Sequence, residues 1–148
     1  MLHAETFIRD AVPDDLPELT LLMNELGYPT SADEMKTRFE LIRNHPDYKT
    51  IVALVNGEIV GMAGLYKGLF YEMNGMYMRI LAFVVKHNGR NKGIGKLLIS
   101  ASEAWAKEQG LNMVFVNSGN RAEREEAHKF YKNNGYITKS SGFVKQLA

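Results

Sequence analysis

The stretch LAFVVKHNGRNKGIGKLL, residues 81–98, changes character twice within a short span. Residues 80–85 form a run of six apolar side chains, the segment HNGRNKG is polar and Gly-rich, and Ile94, Leu97, Leu98 and Ala101 then recur at helical spacing. The pattern reads as a strand, a turn and an amphipathic helix. The helix is predicted over 93–109 with Gly110 as its stop, and MVFVN at 113–117 returns as a buried strand. Strand, crossover helix and strand in that order predict a parallel pair with a right-handed connection. The stretch also has a chemical meaning. The first backbone N–H groups of a helix lack intrahelical partners and lie at the positive end of its dipole, so a Gly-rich turn opening into a helix suits an anion. Glycines 89, 93 and 95 allow close approach of the main chain, and Arg90, Lys92 and Lys96 add positive charge. A phosphate-bearing ligand is expected.

Upstream, TFIRDAV at 6–12 mixes apolar and polar residues as an edge or half-exposed strand does, and Pro13-Asp14-Asp15 supplies a turn and a helix start. Leu16, Leu19, Leu22, Met23 and Leu26 follow at helical spacing until Gly27. Ser31 with Glu34 makes a capping box for a second helix, whose narrow apolar face is Met35, Phe39 and Ile42 and which ends before His45-Pro46. TIVALV at 50–55, Asn56-Gly57 and EIVGMAGL at 58–65 read as a hairpin, because Asn-Gly supplies both left-handed residues of a tight turn. The aromatic-rich segment 66–77 has two readings, the far end of a strand pair packed on the core and a partly exposed wall of a substrate pocket. The central strand, 77–85, follows. Downstream of the crossover lie a helix at 121–134, with Ala127, Phe130 and Tyr131 on one side and Gly135 as terminator, and two short strands at 136–139 and 142–146 joined by Ser140-Ser141.

The 148 residues fit one domain with a sizeable core, and a single domain over 1–148 is expected. Apolar residues at 45%, charged residues at 24% and a net charge of +1 argue against broad attraction to nucleic acid or membrane. The absence of cysteine excludes disulfides, thiolate catalysis and Cys-based metal sites, and no metal is expected. MLHAETFIRD lacks the basic and apolar regions of a leader, and no apolar run is long enough to span a bilayer, so a cytoplasmic location is the default expectation.

Spacing separates the phosphate-binding motifs. A P-loop needs Gly at position 90 and Ser or Thr at 97, where this chain has Arg90 and Leu97. A dinucleotide fingerprint needs Gly or Ala at 98 and an acid at the end of the next strand, where this chain has Leu98 and Asn117-Ser118. Arg90-x-x-Gly93-x-Gly95 after a strand, joined with Ala127-His128-Lys129-Phe130-Tyr131 and Gly135-Tyr136, resembles the GNAT superfamily of acetyl-coenzyme A dependent N-acetyltransferases. The resemblance runs over essentially the whole chain. It implies an α/β (mixed α+β) three-layer fold: a central mixed sheet of about seven strands, mostly antiparallel with one parallel pair, flanked by four helices.

The resemblance further implies that acetyl-coenzyme A is the co-substrate. The amides of Asn91, Lys92, Gly93, Ile94, Gly95 and Lys96 would cradle its pyrophosphate with the Arg90 side chain, and Arg124 could reach its phosphates. The central strand would carry a bulge and splay from the next strand. Main-chain groups of Phe83, Val84 and Val85 would then pair with the pantetheine arm, and one N–H there would polarise the thioester carbonyl. An amine would attack directly through a tetrahedral intermediate, and Tyr131 matches the family's tyrosine beside the departing sulfur. A primary amine with pKa near 10 is only about one part in 10³ neutral at pH 7, a cost of roughly 4 kcal/mol that a base must offset. Many relatives place an acid on the central strand, but this chain has Tyr77, Met78 and Arg79 there; Glu25, Glu72 and a relay of waters stand as candidates. His128 is expected to be structural or exposed. This chain departs from the family pattern at His87, where relatives often carry Pro, and at Arg124, where they often carry Asn. The acceptor is expected to be a small-molecule amine, chosen by the loops 24–31 and 66–77 and the Ser140-Ser141 turn, and exposed final strands would suit a homodimer. Protein acetylation at a lysine or N-terminus, and a non-catalytic acyl-coenzyme A sensor, are the alternatives.

Overall fold

The computed structural model describes residues 5–87, 93–117, 125–139 and 142–148. In chain order the elements are β1 (Thr6–Asp10), a short 3-10 turn (Pro13–Asp15), α1 (Leu16–Leu26), α2 (Ala32–Arg43), β2 (Tyr48–Val55), β3 (Glu58–Leu69), β4 (Met76–Val85), α3 (Ile94–Glu108), β5 (Val114–Val116) and α4 (Glu125–Asn133). By internal packing the chain divides into two compact units, one through Phe115 and one from Val116. The first holds the sheet, in the order β1-β2-β3-β4-β5, with β5 starting at its end. The pairs β1–β2, β2–β3 and β3–β4 are antiparallel, and β5, reached by the α3 crossover, is the strand of the parallel pair with β4.

Local chemistry explains the framework. The turn Asn56-Gly57 has positive φ at both residues, 51° and 82°, the geometry that matches the twist of an antiparallel hairpin. Ser31 Oγ accepts from the Glu34 N–H and Glu34 Oε1 accepts from the Ser31 N–H, both at 3.1 Å, which closes the start of α2. α1, α3 and α4 each stop on a left-handed glycine followed by a residue whose N–H reaches back to the helix.

The register shows which face each strand residue takes, because directly paired residues point to the same side of a sheet. Val52, Met62 and Val84 form one cross-strand row and pack with Leu19, Leu22, Met35 and Phe39 of α1 and α2. Side chains alternate, so the neighbouring row Ala53, Gly61 and Val85 faces the opposite side, where Leu98 of α3 lies over Gly61. The helices α1 and α2 therefore cover one face of the sheet and α3 the other.

Among the described residues the sheet has five strands, where about seven were expected. Among the described residues, 136–139 and 142–148 carry no strand, and Ile137, Phe143 and Val144 are almost fully exposed. A short apolar run becomes a strand only where a neighbouring ladder accepts its N–H and C=O groups, and that partner is not written in the run itself. The strand β3 runs four residues beyond the predicted 58–65, and α4 is described from Glu125 because 121–124 lie outside the described residues.

Candidate active site

Strand β4 is interrupted at one place. Gly64 pairs with Ala82 and Leu65 with Ile80, so Leu81 is an extra residue without a partner on β3. Its side chain is half exposed. The extra residue exchanges the two faces of β4: Met78 and Ile80 are buried on the α3 side, and buried Val84 and half-buried Ala82 lie on the side of α1 and α2. Phe83 and Val85 consequently turn to the α3 face, beside the helix that follows them. The family resemblance implied a bulge in this strand, and one is present at Leu81, two residues before Phe83.

Beyond Val85 the chain is held from three directions. The Lys86 N–H donates to the Val60 carbonyl at 2.8 Å, Lys86 Nζ meets Glu18 Oε2 at 3.1 Å, and the His87 N–H donates to Glu25 Oε1 at 2.8 Å. Arg90, Asn91 and Lys92 lie outside the described residues. Gly93 has φ 81°, a left-handed conformation that an L side chain would strain even though, among the described residues, a Cβ there would meet nothing within 4 Å. Its carbonyl accepts the first bond of α3, from the Leu97 N–H at 3.1 Å, and buried Ile94 anchors the turn.

The two helices α2 and α3 begin in opposite ways. α2 has a serine cap and two acids, Asp33 and Glu34, in its first turn, so its exposed amides and dipole are answered by its own side chains. α3 has no side-chain cap and no acid in its first turn, and it places the exposed Lys96 there instead. A cation at the positive end of a helix dipole is unfavourable on its own. Amides at Ile94, Gly95 and Lys96 with a lysine among them suit a bound anion, and phosphate is the matching chemistry.

An open groove of about 510 Å³ lies beside the end of β4, lined by Leu21, Asn24, Glu25, Lys86 and His87. It borders the 24–31 loop named from sequence, and Glu25 is the candidate base that lines it. Glu72 is exposed in the 70–75 turn. That segment divides between its two readings. Phe70 packs with Tyr77 and Phe115, and the Arg79 guanidinium sits over both the Tyr77 and Phe115 rings, whereas Leu69, Tyr71 and Met73 face solvent. Among the described residues no group of three or more His, Cys, Asp or Glu is arranged to hold a metal ion, and no helix is long and apolar enough to cross a membrane.

In the second unit, Tyr131 is buried on α4, with its ring 5.5 Å from Phe130 and 5.8 Å from Tyr136. The closing bonds of α4, from the Gly135 N–H to the Lys132 carbonyl and from the Tyr136 N–H to the Tyr131 carbonyl, fix the chain around it. His128 is half-buried, and Arg124 lies outside the described residues. Sequence reasoning missed the contacts of Glu18 and Glu25 with residues 86 and 87. Their seven-residue spacing puts both acids on one face of a helix, but nothing in that spacing names partners 68 and 62 positions away. It also missed Arg9 and Asp15, joined by two bonds of 2.7 and 3.0 Å at the start of α1.

A model of the Acetyltransferase (GNAT) family matches residues 15–136, a span that crosses both units. An aminoalkylphosphonate N-acetyltransferase of Salmonella typhimurium is 30% identical over 145 residues, which cover 98% of this chain and 89% of that protein. Among solved structures, a GNAT family acetyltransferase of Staphylococcus aureus is 38% identical with a TM-score of 0.83, over 96% of this chain and 98% of the other. An aminoglycoside N-acetyltransferase in complex with coenzyme A shares the fold, with a TM-score of 0.82 at 18% identity over 99% of this chain and 97% of the other.

Proposed function

This chain belongs to the GNAT family of acetyltransferases, and from that premise we propose that it moves an acetyl group from acetyl-coenzyme A to a primary amine on a small molecule, its two units working as one catalytic domain. The observation that carries the reading is the pairing of the Leu81 bulge in β4 with the uncapped, lysine-bearing start of α3. The Salmonella relative acts on an aminoalkylphosphonate, which favours a small acceptor, and the coenzyme A complex of a structure with the same fold favours that donor.

The chain's own groups take the following roles. Amides of Gly93, Ile94, Gly95 and Lys96, together with those of Asn91 and Lys92, bind the pyrophosphate, and Arg90 and Arg124 add charge at the phosphates. Main-chain groups of Phe83, Val84 and Val85 align the pantetheine arm, and one N–H there donates to the thioester oxygen as negative charge develops, an interaction that contributes about 3 kcal/mol in a preorganised site. The amine nitrogen attacks the carbonyl carbon, the C–S bond breaks, and the products are an amide and the free thiol. The proton lost by the amine leaves through Glu25 or solvent, and the Tyr131 hydroxyl donates to the departing sulfur. Because a thiol titrates near 8.5 and a phenol near 10, this hydrogen bond assists a leaving group that is already competent.

A structure of the complex with coenzyme A tests the placement. Phosphate oxygens within hydrogen-bonding distance of the amides of residues 94–96, and the pantetheine arm along 83–85, are expected. A coenzyme bound away from both segments would overturn the assignment.

A further inference from the structure

Helix α1 carries two acids that reach consecutive residues of the same segment. Glu18 and Glu25 lie seven positions apart and so share a face; Glu18 meets the Lys86 ammonium at 3.1 Å, and Glu25 Oε1 accepts the His87 main-chain N–H at 2.8 Å. The two contacts differ in kind. The first joins two side chains, and the second fixes the backbone at the last described residue before 88–92, the sequence that leads to Gly93 and the start of α3. Glu25 is also placed where a helix disfavours it. It stands one residue from the end of α1, at the negative end of the dipole, in a last turn that contains no basic residue. An acid there does not serve the helix dipole, and Glu25 instead accepts the His87 amide.

We infer that Glu25 is a positioning residue for the coenzyme A turn: by holding the His87 N–H it sets the direction in which the chain leaves β4, and so the geometry of the amides that bind the donor. The inference rests on the reading of residues 93–96 as the pyrophosphate site. It gives Glu25, which also lines the open groove, a role toward the donor that is separate from any part in taking the amine's proton.

The separation is testable through binding alone. Glu25→Ala removes the acceptor at an exposed helical position where alanine keeps the helix, so its melting temperature stays close to wild type. Its dissociation constant for coenzyme A is expected to rise about tenfold, the size of one charge-assisted hydrogen bond. Glu25→Gln retains an oxygen that can accept the same N–H and is expected to stay within about threefold of wild type, as a neutral acceptor weakens but does not abolish the bond. In turnover, Glu25→Ala raises KM for acetyl-coenzyme A and Glu25→Gln restores it. A His87→Pro background lacks the N–H, and there Glu25→Ala is expected to have no further effect on coenzyme A affinity. Three results would overturn the inference alone: unchanged coenzyme A affinity in Glu25→Ala, a loss in Glu25→Gln as large as in Glu25→Ala, or additive effects with His87→Pro. Wild-type protein that does not bind coenzyme A would sink the donor reading and this inference with it.

Discussion

Asp15 is an acid buried at the head of α1, and three donors hold it there: two guanidinium nitrogens of Arg9 and the Val12 N–H at 2.9 Å. The Arg9 hydrogen bonds hold its carboxyl below the usual carboxylate range; burial opposes them, and the Val12 amide adds to them. The sign of the pH effect follows. A depressed folded-state pKa contributes stability that is fully present above the unfolded value near 4 and is lost as pH falls through the lower folded value. Replacing Asp15 with Ala is therefore expected to cost about 2 kcal/mol at neutral pH, since Arg9 is partly solvated and the loss is moderated. The difference from wild type should shrink below about pH 4; urea unfolding at pH 7 and pH 3 measures it, and a constant gap would argue against the ion pair. At Tyr131 the prediction concerns rate. Tyr131→Phe keeps the ring among Phe130 and Tyr136 but removes the hydroxyl, so kcat is expected to fall about 10²-fold, or about 2.7 kcal/mol in barrier, with coenzyme A affinity unchanged. Equal turnover at saturating substrates would remove Tyr131 from the chemistry.

Among the elements, β4 has the most specific consequence. The extra residue at Leu81 lets Met78, Ile80, Ala82 and Val84 all be buried or half-buried while facing opposite sides of the sheet. Deleting Leu81 closes the ladder without moving any of these residues to the wrong face, because Ala82 takes the next place after Ile80. The deletion variant is expected to fold, with a native circular dichroism spectrum, and to lose coenzyme A binding by about tenfold or more as the pairing geometry of residues 83–85 straightens. Unchanged affinity would show that the bulge does not serve the donor. Helix stops at Gly27, Gly110 and Gly135, the Ser31–Glu34 capping box and the Asn56-Gly57 turn were all legible in the sequence, because each is decided by residues within a few positions of one another. The bulge entered only through the family resemblance, since an extra residue in a continuous apolar run has no local signature. The clamps from Glu18 and Glu25 depend on packing across more than sixty positions, and the two closing strands were over-read because apolar alternation alone does not supply a ladder partner.

For the molecule as a whole, the family match spans residues 15–136, and the first unit contains β4 and α3, the elements proposed to bind most of the donor. The net charge is only +1, so the proposed attraction for a polyanionic donor is expected to come from Arg90, Lys92 and Lys96, close together in sequence, rather than from the global field. Coenzyme A at about one hundred times its dissociation constant is expected to stabilise the protein by about 2.7 kcal/mol, visible as a rise in melting temperature, and raising the salt concentration should diminish the rise. A melting temperature indifferent to coenzyme A would place the donor elsewhere. Acetyl transfer to a small amine is tested by thiol release from acetyl-coenzyme A, measured with and without a panel of aminoalkylphosphonates, amino sugars and simple diamines. Release that depends on the amine is expected, with one acetyl amide formed per thiol. Tight coenzyme A binding with no amine-dependent release from any member, and release that appears only with a peptide lysine or N-terminus, would each contradict it.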